Sequence, residues 1–206
     1  GYGPEPNQVV EMIRDLPNLK CIIGNHDAAA VNMLNLNTFN PEARNVILWT
    51  QNQLTPENLE FLSNLPETIE MEYVTLAHGS PRSPIWEYIL DTRNATENFT
   101  EFDTPYCCVG HSHVPVIFYL VDEQAMANLI IPDEFTRVTL TPRAILNPGS
   151  VGQPRDRDPR ASFAIFDTEE FIWEYHRVEY DVYGVQERMR KVNLPKRHID
   201  RLTIGW

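Results

Sequence analysis

A chain of 206 residues with 42% hydrophobic, 10% aromatic and 22% charged side chains reads as one globular domain, 1–206, and excludes a disordered, collagen-like or coiled-coil description. Its 17 Lys and Arg against 29 Asp and Glu leave a formal charge of −12. That charge repels nucleic-acid backbones and anionic membrane surfaces at long range, so general coating of either is excluded, and an anionic small substrate needs a local positive centre.

Gly1-Tyr2-Gly3-Pro4 reads as a loop entered from elsewhere. Val9, Met12, Ile13 and Leu16 then fall at helical spacing until Pro17 stops the pattern, which predicts a short amphipathic helix. Leu19 to Ile23 is a predicted strand running into Gly24-Asn25-His26-Asp27, and Ala28-Ala29-Ala30 opens another helix. Residues 31–65 have polar helical character, with a helix start at Thr55-Pro56-Glu57, where Thr caps and Pro takes the first turn. Three further predicted strands also end in small or polar loops: Met71 to Ala77 in His78-Gly79-Ser80-Pro81, Tyr106 to Val109 in Gly110-His111-Ser112-His113, and Ala144 to Leu146 in Asn147-Pro148-Gly149-Ser150. In open α/β sheets ligands bind beyond the carboxyl ends of the strands, so these four loops are expected to converge. Phe163 to Asp167 and Ile172 to Val178 are predicted as a hairpin about residues 168–170. A last helix carries Val182, Val185, Met189 and Val192 on one face.

The three cysteines, Cys21, Cys107 and Cys108, are odd in number and two are adjacent, so no disulfide framework follows; reduced thiols in the cytoplasm are expected. No apolar run approaches the roughly 20 residues that cross a bilayer.

Imidazole, carboxamide and carboxylate suit borderline metals such as Zn, Mn, Fe or Ni. Asn25, His26, Asp27, His78, His111 and His113 supply these groups at the ends of three predicted strands, and they include four of the six histidines. Asp27 can equally serve as a helix-start cap. Arg82 and Arg155 follow the His78 and Asn147 loops and could each present a fork to a phosphate ester. Pro84 to Tyr88 is expected mainly to pack its loop against the domain, and residues 82–104 and 122–137 to shape specificity.

Gly24-Asn25-His26-Asp27, His78-Gly79 and Gly110-His111-Ser112-His113 resemble, in order and spacing, the later motifs of the calcineurin-like metallophosphoesterases. Asn147 to Arg155 resembles the closing motif of their compact bacterial branch. The resemblance implies an α/β fold, a four-layer two-sheet β-sandwich flanked by helices, with two divalent transition metals at the strand ends. It makes Asn25, His78 and His111 ligands of one ion and His113 a ligand of the other. His26 would contact the transferring phosphoryl group or protonate the leaving oxygen, with Asp27 orienting it. Two such cations can hold phosphate oxygens and acidify a water for attack at phosphorus. The implied activity is phosphate-ester hydrolysis on a small phosphorylated substrate; the alternative is a non-catalytic interaction scaffold of the same fold.

The family's pattern opens with Asp-x-His on a first strand and Gly-Asp on a second, and neither is found in this sequence. The chain is therefore expected to begin just after the second motif, without two N-terminal strands. One ion then keeps three protein ligands and the other only His113, so at most one metal binds well and catalysis by this chain is weak. Exposed sheet edge is expected to favour self-association.

Overall fold

The computed structural model describes residues 1–122 and 125–206. In chain order it contains α1 (Pro6–Arg14), α2 (Asn25–Ala30), α3 (Pro41–Gln53), α4 (Pro56–Ser63), β1 (Thr68–Glu70), β2 (Val74–Ala77), α5 (Thr92–Asn98), β3 (Tyr106–Cys108), β4 (Val116–Tyr119), β5 (Asn128–Ile130), β6 (Arg137–Thr139), β7 (Ala144–Asn147), β8 (Ala161–Asp167), β9 (Ile172–Val178), α6 (Val182–Lys191) and α7 (Lys196–Ile204). The first six-stranded sheet runs β1-β2-β3-β7-β4-β5, and a second of three strands runs β6-β9-β8. This is the expected mixed α/β arrangement of two sheets flanked by helices.

Strand periodicity divides the core in two. On β7, Ala144 and Leu146 join Tyr106, Ile117 and Trp173 between the sheets, while Ile145 joins Cys107, Phe118, Ala95 and Phe99 beneath α5. Neighbouring Cys107 and Cys108 accordingly face opposite sides of the sheet, and all three thiols are free. A further cluster joins α3 to α6 and α7 through Val46, Met189, Leu194, Ile199 and Leu202.

The central strands β2, β3 and β7 are parallel, in the register Val74 to Tyr106 to Ala144. Their carboxyl ends therefore lie on one edge of the sheet, where the polar loops begin. The Thr55 hydroxyl caps α4 as expected, accepting from the Asn58 N–H at 3.3 Å. The 163–167 and 172–178 hairpin is present as β8 and β9.

One expectation needs correction. Residues 19–23 form no strand: the Ile23 N–H donates to the Pro66 carbonyl at 2.9 Å, and without a neighbouring ladder an apolar run stays an isolated extended segment. Helix α1 forms as expected; none of its residues is buried, and Val9, Met12 and Ile13, with Leu16 just beyond it, are all exposed. Of the 122–137 segment, Glu123 and Gln124 lie outside the described residues. No helix among the described residues is long and apolar enough to cross a membrane.

Candidate metal centre

His78 follows the last residue of β2, and His111 lies three residues beyond β3, so parallel pairing of those strands brings the two imidazoles together. Asn25 opens α2 and points its carboxamide at the same spot. The His78 Nε2 is 3.0 Å from the Asn25 Oδ1 and 3.0 Å from the His111 Nδ1. Ligand atoms about 2.1 Å from one transition ion and at right angles to each other are about 3 Å apart, so each of the two spacings about His78 fits a pair of ligands on one ion. Among the described residues no cluster of three or more His, Cys, Asp or Glu could hold a metal. The third donor here is a carboxamide.

Burial keeps the imidazoles neutral, the form that ligates metal. It lowers His78 to about 4 and, with nearby positive charge, His111 and His113 to about 3. The sign of the linkage follows. A histidine whose folded pKa is depressed contributes its full stability above the unfolded value and loses it as pH falls. We expect the metal-free protein to lose thermal stability progressively as pH falls from about 6.5 toward 4, with little change above that range. Melting curves across this interval check it; a flat profile would contradict burial of neutral imidazoles.

The Gly110 to His113 loop is held from several sides. His111 and His113 both have φ of 60°, a left-handed backbone that disfavours ordinary side chains. Buried Asn147 donates to the Gly110 carbonyl at 2.8 Å and the Ser112 hydroxyl at 2.9 Å, while its own carbonyl accepts from the Gly149 N–H at 2.9 Å. The Tyr88 ring stacks on His111 with centroids 3.8 Å apart. His113 Nδ1 lies 2.7 Å from the Gln153 carbonyl, so that nitrogen carries the hydrogen and Nε2 keeps a lone pair for a metal.

His26, next to Asn25, packs against Tyr2 and Phe39 with centroids 4.4 and 5.6 Å away. Burial, and then the neighbouring imidazoles of His113 and His78, lower its pKa well below the usual value. Asp27 uses its carboxylate to accept the Gly24 N–H at 2.9 Å, closing the start of α2. Among the described residues no hydrogen bond joins Asp27 to His26, so Asp27 sits as a cap.

The two candidate arginines part company. Arg155 packs beside the histidines, its backbone N–H donating to the His113 carbonyl at 3.2 Å and its Nη2 to the Gln153 Oε1 at 3.2 Å. Arg82 instead gives its guanidinium to Glu87 and, at 3.0 Å, to Glu97, so those carboxylates occupy the fork expected to meet a phosphate.

Sequence reasoning assigned no role to the Asn147 side chain, to the Gln153 carbonyl or to Tyr2, and it read the Pro84 to Tyr88 stretch mainly as packing. The Asn-Pro-Gly-Ser turn was the available signal for Asn147. Gly79, beside His78, is fixed by sterics: a Cβ there would come within 2.8 Å of the Glu87 carbonyl oxygen and 2.9 Å of that of Ser83.

Residues 3–170 match the calcineurin-like phosphoesterase superfamily domain. A solved metallophosphoesterase from Sphaerobacter thermophilus is 44% identical with a TM-score of 0.91, covering all of this chain and 84% of that one. The uncharacterized protein MJ0912 of Methanocaldococcus jannaschii is 37% identical over 211 residues, all of this chain and 83% of its own length. The hypothetical protein PH1004 from Pyrococcus horikoshii OT3 shares the fold at 22% identity, with a TM-score of 0.80 over all of this chain and 82% of that one. The chain belongs to the calcineurin-like phosphoesterase superfamily, whose members are typically metal-dependent phosphoester hydrolases.

Proposed function

We propose that this protein hydrolyses small phosphate esters, monoester, diester or nucleotide-type, with two divalent transition metals drawn from Mn, Zn, Fe or Ni. The approach of the Asn25 Oδ1 and the His111 Nδ1 to the His78 Nε2, each at 3.0 Å, carries the reading, because a scaffold has no physical need of three such donors gathered together. Bound there, the metals supply positive charge to phosphate oxygens and acidify a water. Asn25, His78 and His111 would hold one ion, and His113 would present Nε2 to the other. His26, held neutral by burial, can donate one N–H to a phosphoryl oxygen or to the departing ester oxygen. Arg155 offers a guanidinium to the same phosphate. The free thiols fit a cytoplasmic setting, and the net charge of −12 fits a small phosphorylated substrate rather than a polyanion or a membrane surface.

The donor count makes the metal dependence specific. Three ligands define a site. After equilibration with Zn and dialysis we expect a tightly held ion that the His78→Ala variant lacks, read by elemental analysis. Hydrolysis of p-nitrophenyl phosphate or bis-p-nitrophenyl phosphate should depend on added Mn or Zn. No ion surviving dialysis would contradict the three-donor site. No turnover of either ester under any metal would favour an interaction scaffold.

A further inference from the structure

Beside the histidine loop lies a cleft of about 320 Å³ walled by Tyr88, Leu90, Arg155, Arg201 and Trp206, with Ser112, the residue between His111 and His113, also on its lining. Its volume lies at the small end of the range of about 300–1,000 Å³ that takes a small organic molecule. Two observations set its chemistry.

The first is uncompensated charge. Among the described residues no carboxylate pairs with Arg155 or Arg201, although Arg82, Arg160, Arg177 and Arg188 each have one. Arg155 gives its Nη2 to the Gln153 carboxamide and lies over the Tyr2 ring, 5.9 Å from its centroid, and its Nε is buried without a hydrogen-bond partner. Arg201 gives its Nε to the Trp206 carbonyl. Burial, and then the nearby Arg155, disfavour the charged form of Arg201. In a chain with a formal charge of −12, carboxylates are plentiful, yet this pair is left for an anion from outside. The second observation is the walls: Tyr88, Leu90 and Trp206 are each partly solvent-exposed and offer two ring surfaces and an apolar side.

The transferring phosphoryl group already meets the metal donors and Arg155, which leaves the charge of Arg201 unmatched. We propose that this cleft receives the departing part of the ester, and that this part carries a flat ring and a second phosphate, the chemistry of a nucleoside bisphosphate. The inference rests on the phosphate-ester reading above and names its substrate class.

Binding to the full chain, with and without Zn, tests it by calorimetry with adenosine bisphosphate, adenosine monophosphate and inorganic diphosphate. One charge-assisted contact predicts that the bisphosphate binds about tenfold more tightly than the monophosphate. Arg201→Gln should remove that preference by weakening the bisphosphate far more than the monophosphate, while Arg201→Lys should keep part of it, which separates charge from folding. Tyr88→Leu should weaken both nucleotides and spare diphosphate. Equal binding of the two nucleotides, an equal loss of all three ligands in Arg201→Gln, or no binding at all would overturn the inference. A protein that cleaves p-nitrophenyl phosphate yet shows no preference defeats this inference alone. One that prefers the bisphosphate yet cleaves no ester defeats the proposed activity alone.

Discussion

His78→Ala is expected to weaken Zn or Mn binding by more than about 100-fold and to remove ester hydrolysis with it. Loss of a group that merely supports a metal ligand costs about 10–100-fold in affinity, and His78 is the donor that the other two share. Its Nε2 lies 3.0 Å from both Asn25 and His111, and without it two donors remain for one ion. Competition against a chelating dye reads the affinity directly. The fold supplies an internal control: His78 is held near 4 by burial, so its removal takes away a group that destabilises the metal-free protein in acid. The variant should therefore melt higher relative to the parent below about pH 6, while binding metal poorly at every pH. Unchanged metal affinity would show that the three donors do not form a site.

Arg177→Met should have the largest effect on stability. Arg177 lies on β9 with a side chain only 5% exposed, and it joins the Asp156 carboxylate and, at 3.0 Å, the Arg160 carbonyl. Removing one partner of a buried ion pair costs about 3–5 kcal/mol because the other charge stays behind. Asp156 has no substitute for it, since its Oδ1 already lacks a hydrogen-bond partner. For a chain of this size each kcal/mol moves Tm by about 2–4 °C, so a fall of about 6–20 °C is expected in a thermal melt. Replacing both partners by apolar residues should recover much of the loss, because burial without an uncompensated charge carries no such penalty. The pair also ties the second sheet to the segment that presents Arg155, so substrate affinity should fall along with Tm.

Much of the site was legible because motif and strand end coincide. An apolar run closing in Gly-His-Ser-His or His-Gly says both that a strand stops and that ligands start, and parallel pairing of β2 and β3 does the rest. Elements without such punctuation were lost. The Val-Ile-Phe-Tyr run of β4 is apolar throughout but ends in no loop motif, and it had no predicted strand. No element is predicted beyond the helix that carries Val192, yet α7 forms there with His198, Ile199 and Leu202 as its buried face. A helix this polar is decided by what it packs on, here Met189 and Val46, which local sequence does not reveal. The converse holds for α1, whose apolar spacing gave the helix correctly but said nothing of whether a neighbour would cover it. Arg82 shows the same limit in electrostatics: proximity to His78 in sequence could not tell that Glu87 and Glu97 would claim its guanidinium.

The crowding around Gly79 bears on how such a motif should be read. The backbone of the 83–87 turn fills the space a side chain would need, and that turn leads directly to Tyr88, whose ring lies on His111. A methyl group at position 79 would have to lift the turn and so tilt an imidazole it never touches. The second letter of the His-Gly pair thus spells a mechanical linkage between two strand ends rather than any chemistry of its own. In a mutational scan, position 79 would score as essential alongside the ligands, for reasons that no metal titration of an isolated residue could reveal.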